Sequence, residues 1–342
     1  MSLLRKIILP TFICCASISF LANSLGGSGI EIKLKKSKQK VIAQLYVANT
    51  GIPWGMAWLP NGDMLITMRG GDLRIVKQGK LAAEKISGLP EIEVGSQGGL
   101  LDIVLHPDNV KNGWIYFSYT KADGKGNKST AIMRAKLKGM MLTEQEDIYV
   151  AKAYSDKGVH FGSRLAFDDH GYLYFSIGDR GQRDINPQDI SRDAGKVYRL
   201  HEDGRIPDDN PFVENNFARK AIYSYGHRNP QGMAKNPITG EIWTHEHGPR
   251  GGDEVNIISK SKNYGWPEIS HGINYSGTRF TDLTEKKGME KPLWYWAPSI
   301  APSGMMFVTS DKYPQWQGNV LIGSLKFGYV VMLILDGNKV VQ

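Results

Sequence analysis

From residue 41 onward, apolar residues fall in short runs bounded by Gly, Pro, Asn and Asp, and no stretch sustains a helical period. Such a pattern predicts strands joined by hairpins. One hairpin text recurs: "GMAWLPNGDMLIT" (55–67), "RLAFDDHGYLYFS" (164–176) and "GMAKNPITGEIWT" (232–244) share an apolar pair, a turn carrying Pro or Asp, a glycine and a β-rich strand. "LDIVLHPDNVKNGWIYFSY" (101–119) has the same scheme with a longer turn, and "SGMMFVTSDKYPQWQGNVLIGSL" (303–325) is a fifth copy. Copies about 45 to 70 residues apart suit propeller blades, since a four-stranded blade takes about 40 to 45 residues before insertions. A sandwich is the competing architecture, but sandwiches rarely repeat one hairpin text along the chain. The expected fold is therefore an all-β, six-bladed β-propeller over residues 41–342. "VIAQLYVANTGIPW" (41–54) would supply an edge strand of the sixth blade, and "YVVMLILDGNKVVQ" (329–342) leaves the last blade incomplete.

The first residues need a different account. Arg5 and Lys6 precede an apolar run, Ile7 to Leu21, and Ala22, Asn23 and Ser24 offer the small residues of a cleavage site. The run is about 15 residues long, short of the ~20 that a membrane helix needs. Residues 1–24 are expected to be a cleaved secretory signal, the alternative being an uncleaved anchor, and residues 25–40 a basic N-terminal segment. No stable membrane insertion is expected, and the mature protein is placed in the periplasm. Cys14 and Cys15 are the only cysteines, so that mature chain would fold without disulfides, which a core of this size permits.

Charged residues make up 22% of the chain and hydrophobic ones 41%, as in a soluble globular protein. Net charge is +8, falling to +6 without Arg5 and Lys6, and the surplus concentrates in "KLKKSKQK" (33–40). Nothing resembles a basic helix or an aromatic-interleaved basic stripe, so no nucleic-acid partner is expected.

Polar residues that interrupt the blade pattern are the chemical candidates. His160 in "GVHFGSRLAF" is suited to general-base work at neutral pH or to a packing role. "YSYGHRNPQG" (223–232) holds Arg228 and Asn229 on a proline-stiffened turn, a fixed cation and a two-sided amide for a planar ligand with carbonyls, or a salt bridge between blades. In "HEHGPRGGDEVN" (245–256) the two histidines lack a third soft ligand for zinc. Gly248 and Pro249 offer carbonyl oxygens there and Asp253 and Glu254 carboxylates, a hard donor set for calcium or a solvated acidic turn. Trp296 in "WYWAPSIAPSG" is a stacking surface or a packing aromatic. Lys326 in "GSLKFG" stands in an apolar strand end, where an ammonium needs a partner. No G-x-S-x-G elbow, phosphate loop or H-E-x-x-H helix occurs.

Taken in order, "GSQGGLLDIVLHP", "HFGSRLAF", "SRDAGKVYRL", "DDNPF", "YSYGHRNPQGM", "EHGPRGGDEVN", "KNYGWP", "APSGM" and "GSLKF" resemble the soluble PQQ-dependent aldose sugar dehydrogenases of the glucose/sorbosone dehydrogenase family. The resemblance implies a six-bladed propeller that binds pyrroloquinoline quinone (PQQ) with calcium above its central channel. It also implies oxidation of an aldose at the anomeric carbon to the lactone, with electrons leaving to an external acceptor. By the same resemblance His160 is the general base and Arg228 stabilises charge on the cofactor. Gln97, Asn229, Trp296 and Lys326 match further cofactor positions. Gly248 and Pro249 match the carbonyls that hold the cofactor's calcium, and Glu254 and Tyr264 match a second, structural calcium site.

Three departures accompany the likeness. Val159 stands before His160 where glucose-oxidising relatives have aspartate, and Tyr295 replaces a disulfide cysteine of those relatives. Family members also continue past the position of Gln342 with another hairpin and cofactor-contacting arginines, so weaker cofactor binding and open strand edges are expected. A calcium-dependent sugar lactonase and a non-catalytic sugar- or protein-binding propeller are the alternative functions. A monomer or a homodimer is equally compatible with the sequence.

Overall fold

The computed structural model describes residues 30–32 and 41–341. The expected signal at 1–24 and most of the basic segment at 25–40 lie outside the described residues. Within them, no helix is long and apolar enough to cross a membrane.

The recurring hairpin text has a physical cause. Asp168 accepts the backbone N–H groups of His170 and Tyr172, both at 2.9 Å, so one carboxylate closes the turn between two strands. Asn236 does the same for Ile238 and Thr239, and Asn61 for Asp63. In each turn the following glycine, Gly171, Gly240 or Gly62, takes a positive φ that a side chain would oppose. Turn chemistry of this kind is local, and it therefore survives as readable text.

Five antiparallel sheets stand as blades among the described residues. Blade 1 holds Pro53–Trp58, Met64–Met68, Leu73–Lys77 and Lys80–Leu81. Blade 2 holds Leu100–Leu105, Trp114–Ala122, Lys128–Lys138 and Met141–Val150. Leu165–Phe167, Leu173–Ile177, Lys196–Leu200 and Ile222–Tyr225 form blade 3. Pro230–Lys235, Ile242–Glu246, Asp253–Ile257 and Trp294–Trp296 form blade 4. Blade 5 has three strands, Pro302–Phe307, Val320–Ser324 and Val330–Leu333. The first strand of each blade packs against the first strand of the next, from blade 1 to blade 5.

The fold is an all-β propeller, but its described blades number five rather than the expected six. Val41–Ala43, the anticipated edge strand of a sixth, pairs instead with Ile30–Ile32 in a separate ribbon. Pro53–Trp58, from the same text and the start of the first repeat, is the inner strand of blade 1. Leu335–Asp336 and Lys339–Val340 pair only with each other.

Cohesion comes from between the blades. Alternate residues of a strand point to opposite faces, so each middle strand feeds two cores. Phe117 and Met133 join Leu65 and Leu73 between blades 1 and 2, whereas Tyr116 and Ile132 join Phe175 and Tyr198 between blades 2 and 3. Tyr174 and Val197 meet Met233 and Ile242 in the next seam, and Trp243 meets Phe307 and Ile322 in the last. Burial on both faces makes Met64–Met68 and Leu173–Ile177 read as apolar runs, each broken by one small hydroxyl residue.

One consequence positions the site. In an antiparallel blade, the start of the first strand, the end of the second and the start of the third share one end of the sheet. Links between blades and turns between second and third strands therefore gather at that end. Residues 95–99, 155–164, 178–195, 226–229 and 247–252 all belong to such segments.

Candidate active site

At that end lies a cleft of about 380 Å³, lined by His160, Asp179, Arg228, Pro249 and Trp266, with Lys157, Arg183, Asn274 and Tyr275 toward the rim. His160 sits on the link into blade 3 with a left-handed backbone, φ 56°. Its N–H donates to Gln97 Oε1 at 2.8 Å, so Gln97 reaches the His160 backbone from the preceding link. The ring is oriented by Asp179, whose Oδ1 lies 2.6 Å from His160 Nδ1.

Asp179 follows the second strand of blade 3 and is almost fully buried. Besides His160 it accepts the Gly181 N–H at 2.7 Å and the Trp266 indole N–H at 2.9 Å. Burial alone raises its pKa, but the hydrogen bond and charge of His160, the charge of Arg228 and the Gly181 N–H together hold it below the usual carboxylate range. An ionised carboxylate only accepts, so the proton of neutral His160 resides on Nδ1. Nε2 is left as the proton acceptor, and it makes no hydrogen bond among the described residues.

The turn at 226–229 separates its three polar residues by role. His227 is fully buried, between Glu246 Oε1 at 3.0 Å and Ser224 Oγ at 2.9 Å, and its ring stacks on Tyr264 with centroids 4.6 Å apart. Arg228 donates its backbone N–H to Glu246 and its Nη1 to the His247 carbonyl at 2.8 Å. The Arg228 guanidinium stands 5.4 Å from the centroid of the Trp266 ring, a cation over an aromatic face. The Arg228 carbonyl accepts the Asp179 N–H at 2.7 Å, which ties the turn to the residue that orients the His160 ring. Asn229 Oδ1 accepts the Gly162 N–H at 3.1 Å, so this amide oxygen braces the His160 loop from behind.

Trp266 reaches the cleft by an unexpected route. It lies in the excursion 258–293, which leaves blade 4 at the opposite end. The chain climbs back beside blade 3: the Tyr225 N–H donates to the Lys262 carbonyl, the Tyr264 N–H to the Tyr225 carbonyl, and the Trp266 backbone N–H to the Gly226 carbonyl at 2.9 Å. Gly226 accommodates this approach, since a Cβ there would lie 2.2 Å from Asn263 Oδ1.

Other anticipated positions fall elsewhere. Trp296 is half-buried in the outer strand of blade 4 and packs on the core shared with blade 5. Lys326 lies exposed in the turn after Val320–Ser324, not inside a strand end, and donates to the Ser299 carbonyl at 3.3 Å. Neither lines the cleft.

The oxygen-rich segment divides similarly. Pro249 lines the cleft, and Gly248 is fixed by donating its N–H to Asp253 Oδ1 at 2.9 Å. The other oxygen of Asp253 accepts from Ser299 Oγ and from the Ile300 and Ala301 N–H groups, so Asp253 is a brace rather than a free ligand. Glu254 faces Glu246 on the neighbouring strand, and burial together with that second carboxylate pushes its pKa well up. The Tyr264 hydroxyl donates to the Ile257 carbonyl and accepts the Ser259 N–H, and no hydrogen bond joins Tyr264 to Glu254. Among the described residues no group of three His, Cys, Asp or Glu side chains is arranged to hold a metal.

The cleft can thus accept a proton at His160 Nε2 and stabilise negative charge beside Arg228. Lys157, Arg183 and Arg228 outnumber Asp179 and Asp184 on its walls, and Trp266 adds a flat face, a donor set that fits a planar polycarboxylate. For calcium the fit is to hard backbone carbonyls at Gly248 and Pro249 alone. Sequence reasoning missed Asp179, although a carboxylate directly after the apolar strand "YLYFSI" and a glycine was a readable signal. Trp266 was visible only as part of "KNYGWP".

Comparison with known proteins places the chain in a family. Residues 50–342 match the glucose/sorbosone dehydrogenase family model. The aldose sugar dehydrogenase of Escherichia coli is 45% identical over 295 residues, covering 85% of this chain and 79% of that protein. A crystal structure of the soluble aldose sugar dehydrogenase of E. coli in its apo-form superposes with a TM-score of 0.82 at 44% identity, covering 85% of each chain. The PQQ-bound aldose sugar dehydrogenase of Streptomyces coelicolor gives 0.71 at 27% identity, covering 87% of this chain and 81% of that one.

Proposed function

The chain belongs to the glucose/sorbosone dehydrogenase family, and from that premise we propose that it is a PQQ-dependent aldose sugar dehydrogenase, oxidising the anomeric carbon to the lactone. The observation that carries the reading is the His160–Asp179 pair opening on a cleft whose wall holds Arg228 and Trp266.

PQQ, when bound in the cleft, supplies the acceptor for the hydride that leaves the anomeric carbon. His160 takes the hydroxyl proton on Nε2, because its Nδ1 hydrogen is committed to Asp179. Asp179 then stabilises the imidazolium without moving, the role a buried carboxylate plays behind a catalytic histidine. Arg228 presents a fixed positive charge where negative charge develops, and its bond to the His247 carbonyl sets its direction in advance. Gln97 and Asn229 hold the base's loop from either side. Loss of the hydroxyl proton and the C1 hydride leaves a carbonyl at C1, which is the lactone. The carbonyls of Gly248 and Pro249 would hold a calcium ion carried with the cofactor. Export to the periplasm through residues 1–24 belongs to the same proposal and rests on the sequence.

Protein given PQQ, calcium, an aldose and a dye acceptor is expected to reduce the dye and release lactone. His160→Ala should lower kcat by about 100- to 10,000-fold. Wild-type protein that has taken up PQQ, as read from its absorbance, yet reduces no dye with any aldose would sink the reading. No specific contact favours the lactonase or the binding-only alternative.

A further inference from the structure

Arg180 is among the most buried side chains of the molecule, 1% exposed, yet it makes no ion pair among the described residues. A guanidinium so placed ordinarily has a carboxylate against it. Its partners are backbone carbonyls instead. Nη1 donates to the Val159 carbonyl, and Nη2 to those of Lys157 at 3.1 Å and Lys128 at 3.2 Å. The guanidinium carbon also stands 3.6 Å from the centroid of the Phe161 ring. Residues 157, 159 and 161 bracket His160, and Lys128 begins a strand of blade 2. One side chain therefore grips the chain on both sides of the base and anchors it to a neighbouring blade.

The grip is reciprocal. Lys157 Nζ donates to the Gly181 carbonyl at 2.8 Å, and Ser155 Oγ to the Arg180 carbonyl at 3.4 Å. Asp179, next to Arg180 in sequence, holds the His160 ring. Arg180 and His160 both have a left-handed φ of 56°, a conformation that non-glycine residues keep only where their surroundings dictate it. Burial lowers the Arg180 pKa to about 10, which leaves the side chain charged at neutral pH.

We propose that Arg180 is a positioning residue for the reaction: its bonds to the carbonyls around His160 fix where the base stands, while Asp179 fixes how its ring is turned. The inference rests on the reading of His160 as the base. It needs Arg180 for geometry rather than for substrate contact, so its loss acts on the chemical step. A misplacement of the base by about 1 Å is enough for a roughly 100-fold effect on rate.

Arg180→Met and Arg180→Lys, loaded with PQQ and calcium, would be assayed per cofactor-bound molecule with ordinary and C1-deuterated aldose. For Arg180→Met, kcat should fall by at least about 10-fold while KM for the sugar stays within about 2-fold. The deuterium isotope effect should rise, because bond cleavage at C1 becomes limiting. Arg180→Lys, which keeps a cation and three donors, should recover part of the rate. A purely structural role would lower only the fraction of loaded protein, leaving kcat per loaded molecule and the isotope effect at wild-type values. That outcome overturns the proposal. If Arg180→Met does not fold, the same three readouts on Arg180→Lys decide, wild-type values again being fatal. His160→Ala separates the two ideas: an active His160→Ala removes the base reading, whereas an inactive one beside an unimpaired Arg180→Met removes only the inference about Arg180.

Discussion

The Asp179 carboxylate accepts three hydrogen bonds, and each does a different job: it fixes a tautomer at His160, a turn at Gly181 and an indole at Trp266. Replacement by asparagine keeps the size but puts an N–H where one acceptor stood, and allows the wrong His160 tautomer. Asp179→Asn should therefore lower kcat by about 1,000- to 10,000-fold, by analogy with other carboxylate–histidine pairs, with a smaller effect on KM. Its depressed pKa also bears on stability. A carboxylate whose folded value lies below its unfolded one favours the fold above the unfolded value, near 4, and the benefit disappears as pH falls through the folded value. Thermal melts across acidic pH should be less pH-dependent in Asp179→Asn than in wild type. At this scale residue type and turn made His160 and Arg228 candidates, while Asp179 was marked only by its place after an apolar strand and a glycine. Its significance lies in a pairing across 19 residues that no local pattern encodes.

The strands and turns are where sequence and structure agree best, since a hairpin's hydrogen bonds close within a few residues. Loop-to-strand contacts behind the site are less legible and more demanding. Gly162, two residues past His160, has φ 63°, and a Cβ on it would meet Gly178 N at 2.8 Å and the Ile177 Cα and Ser176 carbonyl carbon at 2.9 Å, all backbone. Gly162→Ala should destabilise the protein by about 1 to 3 kcal/mol, measurable by urea unfolding, and should slow turnover because the His160 loop must shift. The excursion 258–293 is the converse case. Its text contains Trp266, but only the backbone pairing with Tyr225 and Gly226 reveals that this tryptophan returns to the cleft.

Across the whole molecule, the inner strands are joined by a buried polar knot. Arg164 pairs with Asp102 at 3.2 Å, donates Nε to the Gln231 carbonyl at 2.7 Å and covers the Trp54 ring at 4.0 Å, touching blades 1, 2 and 4 from the edge of blade 3. Burial raises the Asp102 pKa even against the lowering by Arg164. Arg164→Met would strand that carboxyl and cost about 3 to 5 kcal/mol. The loss should grow as pH rises, because the unpaired group is tolerated only when protonated and its folded pKa then exceeds its unfolded one. Denaturation followed at several pH values checks both the size and the sign. The chain by itself determined the all-β class, the repeated hairpins and the chemically equipped turn at 227–229, because turn closure and strand alternation are short-range and leave a fixed spacing in the text. Only the tertiary structure decided that five sheets stand as blades, that Trp266 rather than Trp296 faces the cleft, and that Asp179 and Arg180 hold His160 in place. Those outcomes depend on which distant segments meet at one end of the propeller, and the packing between blades, not the order of residues within any one of them, sets that.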